Sequence, residues 1–273
     1  MGELFNRRAA VALTHDGAST IVRDLRVAFN VIQTLDPEPN EANVEIYGMS
    51  EASRAALPED GVRLTLDVGY GDDLARLFAG DVIFSSTRFE APEVVTEIQV
   101  QDGVRGRRAK IAKTLRRGAP ARRALQELLT AMGVTAPADV LARPELARPY
   151  LAGMTLTGDA GDQVTKLMRR VGLEWTVVDG ELLVLSSTET RGEAVVISQD
   201  TGMIGSPSVG PPDKKGGPKV VSAKTLVDPR VRPGGLVMIR SRTVEGLHKV
   251  VRCEHAGDTH ADPWYTTIEA NPR

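Results

Sequence analysis

Apolar and polar residues alternate through residues 61–70, with Val62, Leu64, Leu66 and Val68 on one parity, and the alternation returns in 77–84 and 94–100. A period of two puts one face of a strand on a core and the other toward water or a partner. A second trio with the same order follows near the other end, in 235–241 with Leu236, Met238 and Arg240, in 246–252 and in 264–270. The two copies match in pattern and order, with a longer gap before the last strand of the second, so the chain is expected to repeat a three-stranded β unit at its two ends.

The intervening sequence changes period. Ala121, Ala124, Leu125, Leu128, Leu129 and Met132 fall at helical spacing behind Pro120, and Gly133 suits a left-handed cap. A second amphipathic helix is predicted from about Ala160 to Val171, with Val164, Leu167 and Met168 on one face and Gly172 after it. Residues 173–178 and 181–185 flank Asp179-Gly180, the dipeptide that favours a type I′ hairpin turn. Upstream, 21–32 and 42–47 read as strands around the Asp36-Pro-Glu-Pro-Asn40 turn, and a short helix is expected over 50–57, capped by Ser50 and closed by Pro58. Downstream, 194–197 and 220–226 read as strands. The Gly-, Pro- and Lys-rich segment 202–219 between them is expected to be a mobile loop that touches a partner. The predicted fold is mainly β with an α+β insertion, organised as a strand-rich region 1–103, a small α+β domain 104–190 and a strand-rich region 191–273.

With 273 residues, 41% apolar and 26% charged, the chain has the composition of a soluble globular protein large enough for more than one domain. No apolar run is long enough to span a bilayer, so no membrane insertion is expected. Residues 1–8 lack the apolar core of a signal peptide, which argues against the general secretory route. One cysteine, Cys253, excludes an internal disulfide framework and suits a reducing compartment.

The net charge of −2 conceals one basic run: nine Lys or Arg residues and no acid between Arg105 and Arg123. Arg105, Arg107, Arg108 and Lys110, together with Lys214 and Lys215 in the loop, are the candidate interface cations. A phosphate-facing surface is one reading of the run. The plainer reading is a solvated strand and helix start, favoured because no aromatic residue is interleaved to stack bases.

Candidate chemistry is sparse. Cys253, His255 and His260 lie close in sequence, but Cys-x-His and His-x4-His match no usual zinc pairing. Gly205-Ser-Pro and Gly48-Met-Ser lack the setting of a nucleophile elbow, and Gly103-Val-Arg-Gly106 lacks the ending of a phosphate loop. Glu127, Asp159 and Asp162 are helix surface or cap residues before they are a catalytic pair. No enzyme activity, metal or cofactor is expected.

The order and spacing of several segments resemble a known family. They are residues 43–50, Val68-Gly-Tyr-Gly-Asp72, Phe78-Ala-Gly-Asp-Val82, 158–180 with Leu173-Glu-Trp175, Thr201-Gly-Met-Ile-Gly-Ser-Pro207, 227–234 and 255–260 through Trp264-Tyr265. Together they are similar to the baseplate hub proteins of contractile-tailed phages and tailocins. The resemblance covers nearly the whole chain. It implies two tail-tube-like β-barrel domains, 1–103 and 191–273, flanking the small α+β domain, and assembly as a homotrimer. Six barrels in a trimer would match the sixfold tail tube on one side and the threefold central spike on the other.

The implied partners are the tail tube protein or a tube initiator, the spike, the tape-measure protein and other baseplate proteins, with genomic DNA only in transit. The implied location is the virion baseplate, assembled in the host cytoplasm. On this reading the strands at 62–68 and 236–241 form barrel walls, acidic or neutral positions such as Asp67 face the lumen, and the 105–123 run meets a neighbouring protein. Two other classes compete: a cell-wall (peptidoglycan) binding module built on the middle domain, weakened by the shortage of exposed aromatic residues, and a wall hydrolase.

Overall fold

A computed structural model of the chain describes residues 5–55, 57, 61–212 and 219–273. Four strands open it, β1 (Arg7–His15), β2 (Ala18–Val22), β3 (Val27–Thr34) and β4 (Glu41–Tyr47). The short helix α1 (Glu51–Ala55) leads to β5 (Arg63–Tyr70), β6 (Asp73–Glu90) and β7 (Glu93–Gln101). The middle holds α2 (Val104–Arg108), β8 (Lys110–Leu115), α3 (Ala121–Met132), α4 (Ala138–Ala142), β9 (Met154–Asp159), α5 (Ala160–Val171), β10 (Glu174–Val178) and β11 (Glu181–Leu185). The last region holds β12 (Arg191–Ile197), β13 (Ser208–Pro212), β14 (Lys219–Leu226), β15 (Gly235–Arg240), β16 (Glu245–Asp258) and β17 (Trp264–Pro272). The fold is mainly β with an α+β insertion, as the hydrophobic periods predict.

Contacts divide the chain into two compact units, one of residues 1–35, 40–101 and 190–273, the other of 36–39 and 102–189. Within the first unit the strand order β5-β6-β7-β4-β3 recurs as β15-β16-β17-β14-β13, antiparallel at every step. The repeat legible in the sequence as three strands therefore extends to five.

The copies differ at their margins, since β5 continues to β1 and β2 while β15 pairs with β12 in parallel. They do not form two separate sheets. β16 is 14 residues long and outruns the five-residue ladder it shares with β15, and its second half pairs with β3, joining both copies into a 13-stranded sheet. An unpaired edge of that length invites a partner strand, and here the chain supplies its own. Among the described residues no ladder closes either copy into a barrel.

Each copy keeps a core of its own. Val44, Ile46, Leu64, Leu66, Phe78 and Ile98 pack in one, and Ile197, Val237, Ile239, Val250 and Ile268 in the other. Trp264 begins β17 of the second copy yet belongs to the first core, with its ring edge-on to Phe29 at 5.6 Å and to Tyr70 at 6.2 Å. Gly257 makes room for this, because a Cβ there would overlap the Phe29 ring.

In the second unit the predicted helices and hairpin form as read. Gly133 (φ 64°) and Gly172 (φ 77°) end α3 and α5 in the left-handed region. Asp179 (φ 56°) and Gly180 (φ 85°) turn β10 into β11, and the Asp102 carboxylate accepts the Asp179 N–H at 2.6 Å. The buried faces of α3 and α5 share a core with Leu156, Trp175, Val177 and Leu182. Among the described residues no helix is long and apolar enough to cross a membrane.

Candidate assembly surfaces

Three features of the first unit bear on assembly: the seam that joins the two copies, a polar sheet face, and strand edges left open.

The seam is built around β3 and β16. The ladder runs from Arg252 opposite Thr34 to Asp258 opposite Ala28. At its end the Arg26 guanidinium donates to both carboxylate oxygens of Asp258, at 2.9 and 3.2 Å, and stacks 4.3 Å from the Tyr47 ring centroid. Asp258 also accepts the N–H groups of His260 (2.8 Å) and Ala261 (3.1 Å), and Thr259 Oγ1 accepts the Val27 N–H. Burial pushes the Asp258 carboxyl up, but these donors outweigh it and hold the group below its ordinary value.

The non-core face of the sheet is polar across both copies. Asn30 Nδ2 donates to Glu254 at 3.1 Å, Asn43 Nδ2 donates to Glu97 at 3.3 Å, and Arg88 reaches Glu45 at 3.1 Å. Arg252 lies between Glu254 and Glu269, at 3.6 Å from each. Following the ladders through β3, β4, β7, β14, β17 and the stretches 84–90 and 252–258, Glu41, Glu45, Glu90, Glu93, Glu97, Glu254, Asp258 and Glu269 share this face with Arg88, Lys224 and Arg252, so carboxylates outnumber cations there.

The long strand of the first copy has no counterpart to the seam. β6 pairs with β5 over residues 73–81 and with β7 up to Glu90, and among the described residues its edge beyond Val82 carries no further ladder. Ile83 (46% exposed), Phe84 (52%) and Phe89 (76%) lie on this stretch. At the other end of the sheet path β13 has β14 on one side only, and its Val209 is 53% exposed. Among the described residues β2 and β12 also have a ladder on one side only, each with one exposed large apolar residue, Ile21 and Val196, whereas β6 gathers three.

The residues singled out from the sequence are distributed unevenly over these features. Val62, Leu64, Leu66 and Val68 are buried in the first core. In β15 the buried pair is Val237 and Ile239, whereas Leu236 and Met238 are half-buried on the opposite face and Arg240 is exposed. Asp67 is ion-paired with Arg76.

The basic run lies in the second unit. Arg107 is buried there, with its guanidinium 4.3 Å from the Trp175 ring centroid and donating to the Pro37 carbonyl; burial lowers it to about 10. Arg105 and Arg108 are exposed, and Lys110 pairs with Asp159. Lys113 and Arg123 both bind Glu127. Lys214 and Lys215, with the rest of 213–218, lie outside the described residues, while β13 is a strand within the span read as loop.

Cys253 and His255 face the core rather than a ligand. Burial raises the thiol to about 12 and lowers the imidazole to about 3, with His255 Nδ1 2.8 Å from Thr266 Oγ1. His260 is exposed in the turn after β16, which runs on to Asp258, past the span 246–252 read as a strand from the sequence. The joining role of the seam residues Arg26, Asp258 and Phe29 is not among the sequence expectations. Their one signal is the unbroken β pattern from 245 to 258, too long for a hairpin arm that needs only to match β15.

The five-strand repeat and the open strand edges fit a structural component of a larger assembly. The 43 kDa tail protein of prophage MuSo2 from Shewanella oneidensis is similar in fold, with 9% identity, coverage of 97% of this chain and 98% of that one, and a TM-score of 0.68. A tail protein from Neisseria meningitidis MC58 is similar at 10% identity, 96% coverage of both chains and a TM-score of 0.66. The c3393 protein of E. coli, a type VI secretion component described as similar to the T4 tail proteins gp27 and gp5, matches at 8% identity with a TM-score of 0.63, covering 96% of this chain and 76% of that one. No curated protein matches. The family model for the baseplate hub gp41 matches residues 8–270, and the chain belongs to that family. It is thus a structural protein of the phage tail, not an enzyme.

Proposed function

We propose that the chain forms a homotrimeric baseplate hub that adapts the sixfold tail tube to the threefold central spike. The observation that carries this reading is the five-strand repeat: two like modules per chain give six per trimer, so one surface can meet sixfold symmetry while the whole retains threefold symmetry. Each flanking region then acts as one tail-tube-like module, 1–103 and 191–273.

The polar face bearing Asn30, Asn43, Glu97, Glu254 and Glu269 lines the channel through which DNA leaves. Its excess of carboxylates suits passage without retention, since phosphates are repelled rather than neutralised. Exposed Arg105 and Arg108 face another baseplate protein. The tube or tube initiator, the spike and the tape-measure protein are the partners, and assembly takes place in the host cytoplasm before the tail is complete.

The test is complementation. Particles made without this chain should lack tubes joined to spikes, and supplying the chain should restore the junction. Joined tube and spike in its absence would refute the adaptor role. If the purified chain instead bound isolated peptidoglycan and left the junction unaffected, the cell-wall-binding alternative would replace it.

A further inference from the structure

The internal repeat identifies which strand must cover the open edge of β6. Each long middle strand shifts register once against the strand after it, between Val82 and Phe84 on β7 and between Val250 and Arg252 on β17. Superposing the two shifts places Phe84–Glu90 on Arg252–Asp258, and β6 and β16 then end together. The edge of Arg252–Asp258 is covered by β3. The corresponding edge of β6 is open, and the strand that corresponds to β3 is β13.

The register follows from the ladders. Phe84 faces Gln99, which faces Asn43, which faces Asn30. In the other copy Arg252 faces Glu269, which faces Ser222, which faces Ser208. Ser208 therefore stands for Asn30, and Val209 for Val31. Since Asn30 faces Ala256 and Val31 faces His255 across the seam, Ser208 should face Arg88 and Val209 should face Thr87.

β13 cannot reach β6 of its own chain in this way, because seven strand positions separate them along the sheet path. We infer that residues 86–88 of one protomer pair antiparallel with Ser208–Gly210 of the next, in the register Arg88 opposite Ser208 and Thr87 opposite Val209. The occupant of each of these two edges is thus a second copy of this chain. The inference rests on the trimeric reading and specifies its interface.

The new ladder is weaker than the seam it imitates. Pro211 has no N–H to donate, which limits the pairing on β13 to about three residues. The Arg26–Asp258 pair has no equivalent either, since Glu90 takes the place of Asp258 but no arginine takes the place of Arg26. What this edge has instead is apolar surface: Ile83, Phe84 and Phe89 on one side, Ile204 and Val209 on the other, all exposed in the single chain. Protomers should therefore fold with the seam already made and associate through the shorter ladder.

Paired cysteines test the register. The double variants Thr87→Cys with Val209→Cys, and Arg88→Cys with Ser208→Cys, should oxidise to covalent dimers and trimers. Phe84→Cys with Ser208→Cys, four positions out of register and roughly 13 Å apart, should not. Cys253 is buried and stays silent. On the unmodified chain, the outward-facing amides among residues 86–88 should exchange about tenfold more slowly in the trimer than in the monomer.

A threefold native mass without cross-links at either in-register pair, or with equal cross-linking of the offset pair, would overturn the ladder and leave the trimeric hub intact. Absence of any trimer, both in the purified chain and in assembled tails, would instead refute the hub reading itself.

Discussion

The two β modules solve the same problem in different ways. In the second, the long strand β16 has its free half covered by β3, and the junction is locked by Arg26–Asp258 and by Trp264 reaching into the first core. In the first, the matching half of β6 is uncovered, and three exposed apolar side chains take the place of the lock. One sheet unit used twice therefore gives one intramolecular junction and one prepared for another chain. The chain thereby favours folding before assembly: the covered edge stabilises the protomer, and the open one costs little stability yet determines its partner.

The contrast predicts a large effect at the covered junction. Trp264→Ala should cost about 3–5 kcal/mol in urea unfolding, because a fully buried indole between Phe29 and Tyr70 leaves a cavity that a rigid sheet cannot close. If the loss were below about 1 kcal/mol, Trp264 would not hold the copies together.

A comparison inside the basic run comes next. Arg107→Glu should destabilise by roughly 3 kcal/mol, since it places a carboxylate against Trp175 and removes the donor to Pro37, whereas Arg108→Glu, at an exposed site, should stay within about 0.5 kcal/mol. Equal effects on the unfolding midpoint would contradict this assignment. It follows that Arg105 and Arg108, without Arg107, are the positions at which charge reversal probes a partner surface.

The seam also carries a pH signature. The Asp258 carboxyl is held below its ordinary value when folded, so its contribution is fully present above the unfolded value of about 3.9 and is lost as pH falls through the folded one. Asp258→Asn should be less stable than the parent at pH 7, by about 1.5–3 kcal/mol for the lost charged hydrogen bonds. Its stability should also fall less steeply in acid. Parallel stability curves for the two proteins below pH 4 would show that the pair contributes nothing.

The smallest effect on folding belongs to the open edge. Phe89→Ser should change unfolding by no more than about 0.5 kcal/mol while weakening association of protomers, measured by sedimentation over a concentration series. A variant that loses stability but keeps full association would reverse the roles assigned to the two edges.

Much of this was legible in the sequence where period alone decides. α3, α5, the Asp179-Gly180 hairpin and the strand trios follow from spacing and turn chemistry, because each is specified within a dozen residues. The register of β15 was not: Leu236, Met238 and Arg240 share a face, but with Val237 and Ile239 alternating against them, nothing local says which set faces the core. Arg107 was hidden for a similar reason. A run of arginines looks solvated until Trp175, far along the chain, supplies the ring that one of them covers. The seam joins residues more than two hundred positions apart, and its only local trace is the extra length of β16.

The most direct test of the account is the native mass of the purified chain over a concentration series, with electron-microscope class averages of the largest species. The account predicts three times 29.4 kDa and a threefold ring with six similar densities around a channel. A chain that stays monomeric at every concentration and within assembled tails, or a closed dimer, would contradict it.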